Sequence, residues 1–111
     1  MNPQSQAELL ESLWAIFPAF RCQWTLENQG LEPWPSAALH SVYMSFLPFV
    51  SGTEPSAGQL SQLAALINGA VSAGGNSENA VSTCFLEHLG QGLLRRMRPL
   101  LSPEARRRLH A

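Results

Sequence analysis

The sequence predicts an all-α protein, a single domain (residues 1–111) folded as an irregular bundle of five to six helices. Three observations carry that expectation. Apolar residues recur at steps of three and four in one segment after another, helix-capping signals stand before several of those segments, and proline or glycine punctuates the gaps. No run alternates with period two for long enough to argue for a sheet. With 111 residues there is room for one core, and an apolar content of 45% against 14% charged residues is that of a chain that folds rather than a disordered one.

Taken in order, Ser5-Gln6-Ala7-Glu8 reads as a capping box, and Leu9, Leu10, Leu13, Trp14 and Phe17 follow it at helical spacing. Pro18 interrupts, and as a first helical residue it can open a second helix carrying Phe20 and Trp24, which Gly30 stops. Leu31-Glu32-Pro33-Trp34-Pro35 is a stiff, extended connector. Ser36 caps a third helix with the stripe Leu39, Val42, Tyr43, Phe46 and Leu47, and Pro48 kinks or ends it. The fourth helix, roughly Ala57 to Ser72, has the cleanest periodicity, through Leu60, Leu63, Ala64, Ile67, Ala70 and Val71.

Beyond Ala73-Gly74-Gly75, Asn76 or Ser77 caps a fifth helix on which Val81, Cys84, Phe85 and Leu89 face one way, with Leu86 off that stripe. Gly90 and Gly92 weaken its continuation through Leu93, Met97, Leu100 and Leu101, and Pro99 breaks it. Ser102-Pro103-Glu104 opens a short basic helix in the tail, residues 102–111. The expected core contains Leu13, Phe17, Phe46, Leu63, Ile67, Val81, Phe85 and Leu89, and Trp14 and Trp24 belong with it.

Charge is uneven. Every acid is Glu and every base Arg; five of the eight acids lie in the first half, and six of the seven arginines lie in the last 17 residues. A net charge of −1 gives no general attraction to nucleic acid or an acidic membrane. The uncharged stretches 33–53 and 55–77 approach spanning length, but they contain Pro, Ser, Gln and Gly, so no membrane span is expected. The first residues lack a basic region followed by an apolar run, so no secretory signal is expected and the cytoplasm is the default location.

Little here suggests catalysis. Without Asp, magnesium sites and Asp-based triads are largely closed off, and no GxSxG, HExxH, GxGxxG or phosphate loop is present. Cys84 and His88 lie four apart, on one face if the helix continues through them. With Cys22 and His40 they could supply a zinc site, but the spacing matches no finger pattern. Cys22 and Cys84 read as buried thiols. No metal, cofactor or catalytic residue is expected, and the chain is read as a non-enzyme.

The segment Glu78-Asn79-Ala80-Val81-Ser82-Thr83-Cys84-Phe85-Leu86-Glu87-His88-Leu89 resembles a family of short helical bacterial proteins of unknown function. That family carries an Asn, two small aliphatic residues and then a Phe-Leu-Glu-x-Leu helix. Phe17-Pro18-Ala19-Phe20 and the stretch 35–46 resemble its N-terminal half. The resemblance implies an all-helical fold without catalytic residues, and for some members a role as immunity proteins beside toxins. This chain departs from such proteins in lacking a strongly acidic surface.

The expectation is therefore a protein-binding module, a monomer or homodimer that neutralises a bacterial toxin by direct binding. A small nucleic-acid-binding regulator using the C-terminal arginines is the alternative. Two surfaces compete for the partner. Trp34, stiffened by its flanking prolines and accompanied by Glu27 and Glu32, suits a basic partner; Arg106, Arg107 and Arg108 suit an acidic one.

Overall fold

Pro18 sets the first corner of the fold, as its missing N–H and fixed φ require. In the computed structural model, which describes residues 6–27 and 39–109, α1 (Gln6–Ile16) stops at Phe17 and α2 (Pro18–Glu27) starts with the proline as its first residue. Phe17 N–H still donates to Leu13 O at 2.7 Å and Phe20 N–H to Phe17 O at 2.9 Å, so the corner leaves neither amide unsatisfied. Ser5, the stop at Gly30, the connector with Trp34 and the cap at Ser36 lie outside the described residues.

α3 (Leu39–Ser51) buries Leu39, Val42, Tyr43, Phe46 and Val50, whereas Leu47 of the expected stripe is only partly buried. Pro48 does not end this helix. The carbonyl it deprives of a partner is that of Met44, and both residues are on the solvated face, where water can take the hydrogen bond.

α4 (Ala57–Ala73) is the longest helix and starts with a full capping box: Gln59 N–H donates to Ser56 Oγ at 3.1 Å, and Ser56 N–H donates to Gln59 Oε1 at 3.0 Å. The same Gln59 amide donates through Nε2 to Ile16 O at 3.0 Å, fastening the start of α4 to the end of α1. At the far end the chain turns through Gly74 and Gly75, with φ of 71° and 58°, a left-handed pair that side chains with a Cβ rarely adopt. Gly74 is thus both the end of α4 and the N-cap of α5 (Gly75–Cys84), so neither Asn76 nor Ser77 caps it, and Ser77 is buried.

The C-terminal half departs most from expectation. Seven α-helices are present among the described residues rather than five to six, because the segment after α5 is cut into short pieces. Phe85 leaves the helical region (φ −133°, ψ −66°), and a 3-10 turn covers Leu86–His88. Gly90 then precedes α6 (Gln91–Met97), a second 3-10 turn spans Arg98–Leu100 around Pro99, and α7 (Pro103–Arg106) follows. Ser102 caps α7 by accepting from Ala105 N–H at 3.2 Å, as its Ser-Pro-Glu start implies.

The break at Phe85 changes which side chains are inside. A helix continued through Phe85 with Val81, Cys84, Phe85 and Leu89 on its core face would leave Leu86 about 100° from Phe85 around the axis. Here both are fully buried, while Leu89, expected in the core, is only partly so. The other expected core residues are buried, as is Trp24; Trp14 packs half-buried at the edge beneath the Arg21 guanidinium, 5.1 Å from its ring centroid. Leu101 is buried and Leu100 is exposed, since the turn at Pro99 rotates the stripe.

α5 packs between α3 and α4, α1 touches α2, α3 and α4, and α6 and α7 lie against α4. The result has a radius of gyration of 13.0 Å. No strand occurs among the described residues, and no described helix is long and apolar enough to cross a membrane.

Two expected outcomes follow from this packing. Leu86→Ala should destabilise by about 2–5 kcal/mol and Phe85→Ala by about 3–5 kcal/mol, against about 1 kcal/mol for Leu89→Ala, all read by chemical denaturation. A larger loss at Leu89 than at Leu86 would mean that the helix runs on through Phe85. The second concerns Tyr43, whose phenol burial pushes well above its ordinary range. Above about pH 10 the unfolded chain releases this proton while the folded one keeps it, so stability falls as pH rises, by up to ~1.4 kcal/mol per pH unit. The denaturation midpoint of Tyr43→Phe should decline less steeply than the parent's over that range.

Candidate functional site

The seven arginines all lie among the described residues and divide by what their side chains meet. Three are occupied. Arg21 covers Trp14, Arg96 donates to Pro55 O at 2.7 Å, and Arg108 is paired with Glu78 on α5. Arg107 is exposed. The remaining three, Arg95, Arg98 and Arg106, have no ion pair or side-chain hydrogen bond among the described residues and converge on one open groove of about 390 Å³. Gln91, Leu94 and Pro99 complete its lining, with no acid among them.

The sequence places these three arginines on separate elements. Arg95 is on α6, Arg98 in the 3-10 turn and Arg106 at the end of α7. They share a groove because the chain doubles back at Leu100–Ser102, and one side chain from α4 holds that turn. Asn68 Nδ2 donates to Leu100 O at 3.2 Å, and Ser102 N–H donates to Asn68 Oδ1 at 2.8 Å. One amide thereby satisfies a carbonyl and an N–H two residues apart, which fixes where α7 starts. The pairing of Arg108 with Glu78 holds the other end of α7.

Of the residues expected at a partner surface, Arg106 lines the groove, Arg107 does not, and Arg108 is engaged in tying α7 to α5. Glu27 is exposed but both of its carboxylate oxygens are in use: one accepts from Gln23 Nε2 at 2.6 Å and the other from Ser45 Oγ, linking α2 to α3. Glu32 and Trp34 lie outside the described residues. A separate, mostly apolar surface hollow of about 440 Å³ is lined by Arg21, Cys22, Thr25 and Leu26, with Leu26 71% exposed.

The other chemistry-bearing residues are dispersed. Cys22 is exposed, contrary to the expected buried thiol, and Cys84 is half-buried; both are free. α5 ends at Cys84, so His88 is not one helical turn beyond it on a shared face. His40 Nε2 meets Asn79 Nδ2 at 3.3 Å, and Thr83 Oγ1 lies 3.7 Å from Cys84 Sγ. Among the described residues no three His, Cys, Asp or Glu side chains come together to hold a metal ion. Glu87 is exposed and makes no ion pair there.

Six C-terminal arginines, Arg95, Arg96, Arg98, Arg106, Arg107 and Arg108, stand in the sequence as candidate phosphate contacts, and the groove gathers Arg106 with only two of the others, Arg95 and Arg98. Linear spacing gives no sign of their joining Arg106, because the turn that joins them depends on Asn68, far upstream. Comparison with family models, with curated proteins and with solved structures returned no match.

Removing the Asn68 amide tests the architecture of the site. Asn68→Ala leaves Ser102 N–H and Leu100 O without their partner and should destabilise the protein by about 1–3 kcal/mol. Amide exchange should rise most at residues 100–106, whereas an effect spread evenly over the chain would show that Asn68 does not specifically hold the groove.

Proposed function

We propose that this chain is a non-enzymatic protein-binding module that acts by holding a partner stoichiometrically. The observation that supports this most directly is the groove of Arg95, Arg98 and Arg106 over Leu94 and Pro99. Arginine stays protonated under all ordinary conditions, and glutamine, leucine and proline neither titrate nor attack a substrate near neutral pH. Such a lining binds and orients. Three cations without partners, beside apolar surface and an exposed Leu100, match the mixture of charged rim and apolar contact by which proteins recognise one another.

The narrower form of this reading is an immunity protein that neutralises a toxin by direct contact. It rests on the resemblance of residues 78–89. The groove favours an acidic patch on that partner, whereas the Trp34 surface would favour a basic one.

The competing reading is a nucleic-acid-binding regulator, favoured by the same arginines. Against it, no aromatic side chain among the described residues lines the groove to stack on a base, and the net charge of −1 gives a polyanion no general attraction.

A salt titration separates the two. Neutralising three phosphates would lose about fortyfold in affinity between about 50 and 200 mM salt, from the counterion-release slope of roughly −0.9 per phosphate. The expected result is a one-to-one complex with a protein that survives nuclease treatment and loses less than about tenfold over that range. Recovery of nucleic acid alone, released with the steep slope, would overturn the proposal.

A further inference from the structure

The geometry points to an acidic peptide segment as the occupant of the groove between α6 and α7: its carboxylates gripped by Arg95, Arg98 and Arg106, and an apolar side chain laid on Leu94 and Pro99. This deepens the protein-binding reading above and rests on it. Charge complementarity carries it. Among the described residues the groove collects three guanidinium groups and no carboxylate, although the chain as a whole has more acids than bases. Elsewhere Arg96 and Arg108 have oxygen partners within the fold and Arg21 has a ring, so of the four arginines without a side-chain partner among the described residues three are gathered in one place and Arg107 alone stands apart.

The type of cation fits as well. A guanidinium offers a planar fork that matches both oxygens of a carboxylate, and it sheds water more readily than an ammonium. Arginines on three different elements present such forks from several sides. The surface between them is apolar, at Leu94 and Pro99, so a segment in which acidic and apolar residues alternate would satisfy both features together. A bare phosphate would use the charges and leave the apolar surface exposed.

The probe is a capped peptide of alternating glutamate and leucine, titrated into the full chain while the arginine Nε–H signals are followed by NMR. Saturable shifts are expected at Arg95, Arg98 and Arg106, with those of Arg96 and Arg108 unmoved. The glutamine-for-glutamate peptide should bind at least about tenfold more weakly, and R95Q, R98Q and R106Q should each weaken binding by about threefold to fivefold, as exposed ion pairs do. R107Q should bind like the parent, and the amide spectrum of each variant checks that it remains folded.

Equal binding of the glutamine peptide would overturn the proposal, as would shifts centred on other arginines. So would stronger perturbation of the same three arginines by inorganic phosphate or oligothymidylate. The two readings fail differently. If a protein partner is held undiminished by the R95Q/R98Q/R106Q variant, the groove assignment fails and the binding module stands. If the peptide binds as described but no protein partner is retained, the groove assignment stands and the broader reading fails.

Discussion

Phe46 stands where the N-terminal corner, α3 and α5 meet. Its ring lies 5.4 Å from Phe17, 5.1 Å from Phe20, 6.2 Å from Phe49 and 5.7 Å from Phe85. Phe17 and Phe20 flank Pro18, so the corner that separates α1 from α2 is seated against this one side chain. Phe85 closes the group from the other direction, at the residue where α5 ends. Offset and tilted aromatic pairs contribute about 0.5–1.5 kcal/mol each beyond the area they bury. The larger consequence is geometric. Rings are rigid and their mutual angles are restricted, so the cluster fixes the direction of three chain segments together. The position of everything after Phe85, including the arginines of α6, is inherited from it.

α4 provides the complementary constraint, and it does so with amides. Gln59 near its first turn and Asn68 near its middle each use donor and acceptor together on backbone groups that helices leave unsatisfied at their ends. The first fastens the end of α1, the second the start of α7. An apolar residue at either site could fill the volume but would leave a carbonyl or N–H without its partner. The pattern of a long apolar stripe with a bifunctional amide at two contact points explains how short, irregular elements are held in fixed places against a single regular one.

The helical class was legible because periodicity is a local property. The stripes of α3 and α4, the proline corner at Phe17 and the Ser102 cap all follow from residues within one or two turns of each other. The Ser56-x-x-Gln59 capping box is equally local. What sequence spacing could not reveal was the fragmentation after α5. Phe85, Leu86 and Leu89 fit a continuous helix on paper, and the break at Phe85 shows only in where they end up, Leu86 fully buried beside Phe85 and Leu89 partly exposed. Pro48 misled in the opposite direction, since its position on a wet face makes an interior proline tolerable. The site was least legible. Arg95 and Arg98 reach Arg106 only through a turn held by Asn68, and a contact across more than thirty residues leaves no trace in spacing. Conversely, Glu27 looked available for a partner until Gln23 and Ser45 were seen to occupy it.

The groove straddles a joint: Arg95 and Arg98 stand on one side of the Leu100–Ser102 turn and Arg106 on the other. α7 is a single short helix held by the buried Ala105, the Ser102 and Asn68 hydrogen bonds and the Arg108–Glu78 pair, far fewer contacts than the rest of the core makes, and it is a natural unit of local opening. Whatever grips both walls is bound only by the closed form. Its binding therefore adds RT ln(1 + [L]/Kd) to the work of opening that joint alone. Occupancy of the groove and slow exchange of the α7 amides become two readings of one equilibrium, so the rigidity of the tail reports whether a partner is present.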